Sequence, residues 1–330
     1  MKDTFQKLNG LDLPWPADWP AIFGRDRALI LEIGFGRGTF LRHLAQRFPE
    51  HNVIGIEISN RCLTRAETMI AREELTNTRV IYAMAETALH HLFTPASLSQ
   101  VHVNFPDPWF RTRHSHRRLM QRDTLDVIVN RLQPGGLFYL ATDILEYAEM
   151  SHELLAETSG LDNVLAVPWA GELSERIITK YEMKARREGR SCYYFAYRRN
   201  QQPAPTMTVV QELPMPHLVF HSPITLDEVE TNFEEKQFQP LEGTYIHFLR
   251  AWRSDRHMLF ETHIKEPTIE QRLALTLSLR HDGHYTLQLS TLGHPRPTEG
   301  VHLAVKLLGD WLLALHPGAE TIVSKLQEDA

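Results

Sequence analysis

The sequence predicts an α/β fold, a mostly parallel and doubly wound sheet, followed by a smaller α+β domain. Three observations carry that expectation. Over residues 28–200 short apolar runs alternate with amphipathic stretches, the pattern of βαβ units whose sheet is covered on both faces. Tyr197–Thr206 (YRRNQQPAPT) then mixes polar residues with two prolines, as linkers do. Beyond it the pattern changes to strands joined by tight turns, with one amphipathic helix near the end. The expected division is an N-terminal segment 1–27, a sheet domain 28–200, a linker 201–206 and a C-terminal domain 207–330.

Ala28–Ile33 (ALILEI), an apolar run ending in glycines, reads as the first strand. Thr39–Phe48 is helical in period, Asn52–Glu57 is a second strand, and Asn60–Glu74 a second helix. Arg79–Ala83 suits a third strand and Val101–Phe105 a fourth, stopped by Pro106, which cannot donate to a sheet ladder. Leu119–Leu132 reads as a helix ended by Pro134-Gly135-Gly136, Leu137–Ala141 as a fifth strand, and Leu145–Glu157 as a helix. Cys192–Tyr197 is a late β-rich run. In the C-terminal part, Thr244–Trp252, His257–Ile264, Arg272–Leu279 and Tyr285–Ser290 look like strands, turning at Arg253–Asp255 and Asp282-Gly283. Val301–Leu315 has the period of an amphipathic helix. In open parallel sheets ligands bind beyond the C-terminal ends of the strands, so chemistry is sought in the loops that follow them.

With 330 residues, 42% hydrophobic and 23% charged, the chain is globular in character. No apolar run approaches the ~20 residues that span a bilayer, and Met1–Gly10 lacks a signal peptide's apolar core. A cytoplasmic protein without membrane contact is expected. Cys62 and Cys192 make no disulfide framework, and the 18 histidines form no metal-ligand motif, so no metal is expected. The net charge of −6 argues against a nucleic-acid partner, but it is unevenly spread. Residues 203–330 hold 10 Lys+Arg against 17 Asp+Glu, and the rest of the chain holds 25 against 24. Local potential governs phosphate binding better than the total does. Nothing in the sequence sets an oligomeric state.

The loop after the first strand is Glu32-Ile33-Gly34-Phe35-Gly36-Arg37-Gly38. Gly34, Gly36 and Gly38 let the backbone turn sharply and approach a ligand closely. Their spacing differs from the G-x-G-x-x-G of dinucleotide sites, which disfavours a nicotinamide dehydrogenase. An acid ahead of the loop would repel a pyrophosphate and attract the cationic methionine end of S-adenosylmethionine. Glu57 ends the second strand, where a carboxylate accepts from both ribose hydroxyls. These residues point to a methyltransferase cofactor site.

The fourth strand leads into Asn104-Phe105-Pro106-Asp107-Pro108-Trp109. Two prolines stiffen this loop and fix where Asp107 points, which suits a site needing close placement. Immediately after it, Arg111–Arg122 holds five arginines, two histidines and no acid. Arginine makes bidentate phosphate contacts and stacks on bases, so the run is a candidate RNA track beside the reactive loop.

Together, Glu32–Gly38, Asn104–Trp109, Arg113–Arg118, Ala141-Thr142-Asp143 with Tyr147-Ala148-Glu149, and Thr179-Lys180-Tyr181-Glu182 resemble the bacterial tRNA (guanine-N7)-methyltransferases that modify the variable loop. The resemblance covers roughly residues 25–200. It implies a Rossmann-like S-adenosylmethionine-dependent methyltransferase fold and transfer of a methyl group to N7 of the variable-loop guanine, tRNA position 46. It also implies Asp107 as the catalytic residue and a cofactor pocket of Glu32, Gly34, Gly36, Gly38, Glu57, Met84, Ala85 and Asp107. Arg111, Asp143, Thr179, Lys180, Tyr181 and Glu182 correspond to substrate-binding positions, and Arg113, His114, Ser115, His116, Arg117 and Arg118 to the RNA-contacting stretch. The sequence departs from the family at Met84-Ala85, where Asp-Ala is usual. Methionine cannot accept the adenine amino hydrogen bond; Glu86 or a backbone carbonyl is left to do so. Two other functions are compatible with the residues: a methyltransferase of another RNA or of a small molecule, and a non-catalytic RNA-binding module on the same fold. The arginine run argues against a small acceptor, and intact Glu32, Glu57 and Asp107 argue against a silent module.

Overall fold

A computed structural model of the chain describes residues 7–109, 118–174 and 176–327. It divides into two compact units, Met1–Met207 and Thr208–Ala330.

The first unit runs β1 (Lys7–Asn9), α1 (Trp19–Phe23), β2 (Leu29–Ile33), α2 (Thr39–Arg47), β3 (Asn52–Glu57), α3 (Asn60–Arg72), β4 (Thr78–Tyr82) and α4 (Ala85–His91). It continues with β5 (Leu98–Asn104), α5 (Arg122–Arg131), β6 (Leu132–Thr142), α6 (Leu145–Ala156), β7 (Leu161–Asn163), α7 (Lys180–Arg187) and β8 (Tyr193–Arg199). Its sheet has the order β1-β4-β3-β2-β5-β6-β8-β7, parallel except that β8 runs against both β6 and β7. Alternate strand residues feed two cores. Ile30, Val53 and Val80 join Leu41 and Leu44 of α2 and Leu63, Ala66 and Ile70 of α3. Leu31, Ile54 and Ile81 join the opposite cluster with Leu89 of α4 and Leu125 and Ile128 of α5. The doubly wound architecture is therefore present, and strand–helix alternation was enough to find it.

Boundaries moved where backbone conformation overrode periodicity. Leu119–Gln121 lies outside α5, because Gln121 is extended (φ −140°, ψ 162°) and serves as the N-cap. β6 starts at Leu132, paired with Leu98. It bulges across exposed Gln133, Pro134 and Gly135 and resumes at Gln100–Leu137. β1, α1, α4, β7 and α7 are too short to show a period in sequence.

The second unit contains β9 (His217–His221), α8 (Leu226–Asn232), β10 (Lys236–Leu241), β11 (Thr244–Arg253), β12 (His257–Glu266), β13 (Ile269–Leu279), β14 (Tyr285–Leu289), α9 (Glu299–Ala314) and β15 (Glu320–Lys325). These strands form an antiparallel sheet, β10-β11-β12-β13-β14-β9-β15. Phe260, Leu275 and Leu287 of its inner face share a core with Val305 and Leu308 of α9. Glu266 caps α9, accepting from Gly300 N at 2.9 Å and from the Thr298 hydroxyl. Among the described residues no helix is long and apolar enough to cross a membrane, and no cluster of His, Cys, Asp and Glu is suited to hold a metal ion.

Candidate active site

β2 pairs with β3 on one side and β5 on the other, and the connections leave in opposite directions from this pair of edges. The crevice beyond their C-terminal ends is the switch point where such sheets bind ligands. Glu32 stands there, beside Gly55 and His102 in the ladder, and is 1% exposed. Its Oε1 accepts from Asn104 Nδ2 at 3.0 Å, while its buried Oε2 has no partner among the described residues. Burial pushes its pKa from 4.5 up to about 7, against the pull of Asn104 and the Arg176 charge. A buried carboxylate oxygen left unpaired is costly, so an incoming cation or donor at this place is strongly favoured.

The glycine loop frames the same space. Gly34 has φ 70°, and a Cβ there would meet nothing within 4 Å; the room is open on the side a ligand would take. Gly38 (φ 77°) is the N-cap of α2, where a Cβ would press on Ala66 and Met69 of α3 at 3.4 Å. Glu57 turns back onto the loop, accepting from Gly36 N at 3.0 Å, Ile58 N at 2.9 Å and Ser59 N at 3.0 Å. A carboxylate has about four acceptor positions. Three are engaged, so this conformation has room for one ribose hydroxyl rather than the expected two.

Asp107 projects exposed from the β5 loop. Its flanks are strained: Phe105 (φ 51°) and Trp109 (φ 41°) lie in the left-handed region without being glycine, at a cost of about 1 kcal/mol or more each. Phe105 N donates to Ala141 O at 2.7 Å. At the other end Arg118 Nε donates to Pro108 O at 3.1 Å, and its Nη2 to Trp109 O at 3.3 Å. Arg118 thus holds the loop by its carbonyls and presents little of its guanidinium to a phosphate. Arg111, Arg113, His114, Ser115, His116 and Arg117 lie outside the described residues.

The remaining residues assigned to substrate are spent partly on structure. Asp143 is ion-paired with Arg190. Thr179 and Glu182 form the capping box of α7: Thr179 Oγ1 accepts from Glu182 N, and Glu182 Oε2 from Thr179 N. Buried Glu182 also pairs with Arg186 at 2.6 Å. Tyr181 and Lys180 are exposed, and Tyr181 Cε2 lies 3.8 Å from where a Cβ of Gly36 would be, so α7 starts beside the glycine loop. Met84 is the N-cap of α4, half exposed and without a side-chain cap hydrogen bond; Ala85 opens the helix.

Sequence reasoning missed two residues here. Arg176 stacks on Phe40 at 4.5 Å and Tyr194 at 5.5 Å and donates to Asn104 Oδ1. His102 stacks on Tyr139 at 4.7 Å, and burial holds its pKa well below the usual imidazole range, so it is neutral. Arg176 sits outside every motif, in a stretch with no periodicity, and only folding brings it to Glu32. The alternation of β5 did place His102 opposite Glu32, a signal available in the sequence.

Comparison with known proteins adds the following. The profile of a family described as putative methyltransferase matches residues 26–195. A tRNA (guanine-N(7)-)-methyltransferase of Thermus thermophilus is 33% identical over 91% of this chain and 94% of its own length. One of Thermotoga maritima is 28% identical over the same shares, 91% and 94%. One of Syntrophotalea carbinolica is 35% identical over 57% of this chain and 81% of its own. Among solved structures, the 16S rRNA methyltransferase KamB aligns with a TM-score of 0.43 at 14% identity, over 56% of this chain and 94% of that one.

Proposed function

The chain belongs to the methyltransferase family that includes the bacterial tRNA (guanine-N7)-methyltransferases, and from that premise we propose that it methylates N7 of the variable-loop guanine, tRNA position 46, with S-adenosylmethionine as donor. One observation carries this reading. At a single switch point the fold gathers a buried acid with an unpaired oxygen, an open glycine turn and an aspartate fixed between two prolines. Glu32 suits the ammonium of the cofactor, and Glu57 has one acceptor position for its ribose. A tRNA substrate places the enzyme in the cytoplasm.

S-adenosylmethionine supplies a methyl group on a positively charged sulfur. Guanine N7 has a free lone pair, so no proton has to be removed and no strong general base is required. The protein's work is alignment and charge. Positive charge passes onto the purine during transfer, and the carboxylate of Asp107 stabilises it there. Arg118 and the two strained residues keep that carboxylate in place.

The raised pKa of Glu32 gives a pH signature. Its folded value lies above the ordinary 4.5, so the cofactor-free protein retains a proton that the unfolded chain loses. Its contribution to stability is full below pH 4.5 and is lost as pH rises through about 7. Binding of a cation has the opposite slope, because it requires the ionised acid. Cofactor affinity is expected to rise by up to about ten-fold per pH unit towards pH 7 and then level off, with proton release on binding below that point. Glu32→Gln should flatten the curve at low affinity. Calorimetric titration in buffers of different ionisation enthalpy checks both; a flat profile for the unaltered protein would remove Glu32 from the cofactor site.

Met84 yields another test. Met84→Asp restores the family's acid and also provides a side-chain cap for α4. One neutral hydrogen bond contributes about 0.5–1.5 kcal/mol, so S-adenosylmethionine should bind ~2–10-fold more tightly. The cap adds about 1 kcal/mol to the cofactor-free protein. Titration and thermal melting separate the two gains; weaker binding would mean that adenine is read by Glu86 or by backbone groups.

The direct test of function is mass mapping of unmodified tRNA after incubation with enzyme and labelled cofactor. A label on N7 of the variable-loop guanine is the expected result, and a label elsewhere or none rejects the proposal.

A further inference from the structure

We infer that Arg176 binds the α-carboxylate of the cofactor's amino-acid end, next to the Glu32 carboxylate that takes the ammonium. This deepens the methyltransferase reading and rests on it. The two side chains are of opposite charge yet do not pair directly. Asn104 stands between them, accepting from Arg176 Nη2 through Oδ1 and donating from Nδ2 to Glu32 Oε1 at 3.0 Å. A neutral amide of this kind holds a cation and an anion side by side without letting them quench each other.

An α-amino acid carries its ammonium and carboxylate on one carbon, about 3 Å apart, so it can meet a carboxyl group and a guanidinium that share one bridging amide. Both partners also have capacity left. Glu32 Oε2 is buried and unengaged among the described residues. The guanidinium has five donors, and one of them makes a hydrogen bond among the described residues. Its faces lie against Phe40, in the first turn of α2, and Tyr194, on β8. Ring contacts of this kind use the flat faces and leave the donor edge for a carboxylate, which arginine binds in bidentate fashion. Phe40 follows Gly38 by two residues, so the arginine is seated against the helix that the glycine loop opens.

Two other roles are chemically reasonable and the experiment separates them. Arg176 would then be either an internal counter-ion for Glu32 or a clamp that ties the segment before α7 to the sheet. Equilibrium titration of full-length protein is run with S-adenosylmethionine and with its decarboxylated form, which keeps the sulfonium, ribose, adenine and ammonium. The unaltered protein should prefer the carboxylated compound by on the order of 10- to 100-fold, the worth of a charge-assisted bidentate contact. Arg176→Ala should erase most of that preference by weakening S-adenosylmethionine alone, and Arg176→Lys should restore part of it. Equal weakening of both compounds, or a fall in melting temperature that accounts for the loss, overturns the proposal in favour of the clamp. Unchanged or tighter binding of S-adenosylmethionine overturns it in favour of the counter-ion. An unaltered protein that binds neither compound rejects the methyltransferase reading itself, a failure distinct from that of Arg176.

Discussion

Replacing Asp107 with alanine is expected to lower the turnover of methyl transfer by about 10²–10³-fold, the usual loss when one group aimed at developing charge is removed. The melting temperature should hardly move. Asp107 is exposed, and no ion pair or hydrogen bond from its side chain is needed to hold the loop; Arg118 and the Phe105 amide do that through backbone groups. Cofactor affinity should change far less than turnover. Single-turnover kinetics with pre-bound tRNA, beside a melting curve, give the two quantities. Near-normal turnover in the variant would make Asp107 a loop residue and would move the catalytic centre elsewhere.

The second large effect concerns the arginine run, of which Arg118 lies among the described residues and Arg113 and Arg117 lie outside them. Reversing Arg113 and Arg117 to glutamate is expected to weaken tRNA binding by about 3–6 kcal/mol, at 1.5–3 kcal/mol for each charge-assisted contact. The slope of log affinity against log salt should shrink by roughly 2, since each lost phosphate contact removes nearly one released counterion. Arg118→Ala should behave differently. Its guanidinium is engaged with Pro108 and Trp109 carbonyls, so the salt slope should stay and turnover should fall as the Asp107 loop relaxes. Filter binding across a salt series, with turnover measured on the same proteins, tells phosphate contact from loop support. If Arg118→Ala changes the slope as the others do, its inward hydrogen bonds are not those of the working enzyme.

How much of this was legible follows from what each feature depends on. The sheet and its switch point follow from local periodicity, because β2, β3, β5 and β6 each carry an apolar run that must be buried. The glycine loop and the proline-flanked aspartate were readable because those residue types constrain the backbone on their own. The company of Glu32 was not. Arg176 lies 144 positions further along, and its approach is set by tertiary packing of α7 and β8. The double duty of Thr179, Glu182, Asp143 and Arg118 was equally hidden, since a motif shows which side chain is present and says nothing about which atoms are already engaged. In the second unit, α8, β9, β10 and β15 escaped detection as short elements, while the long antiparallel strands did not.

The placement of β8 has a consequence for how the enzyme is made. This strand pairs on one side with β6 and on the other with β7, although it is the last of the sheet to be synthesised. Until Arg199 has left the ribosome, the nascent sheet ends on β6, whose unpaired edge is a template for another chain. Non-local pairings of this kind form slowly and leave partly folded species open to aggregation. The segment that completes the sheet also brings α7 and Arg176 to the crevice. A nascent chain halted before Tyr193 would therefore carry the glycine loop, Glu57 and Asp107 without a finished pocket. Protection of the sheet and acquisition of cofactor affinity should thus arrive together, late, as one event in biosynthesis.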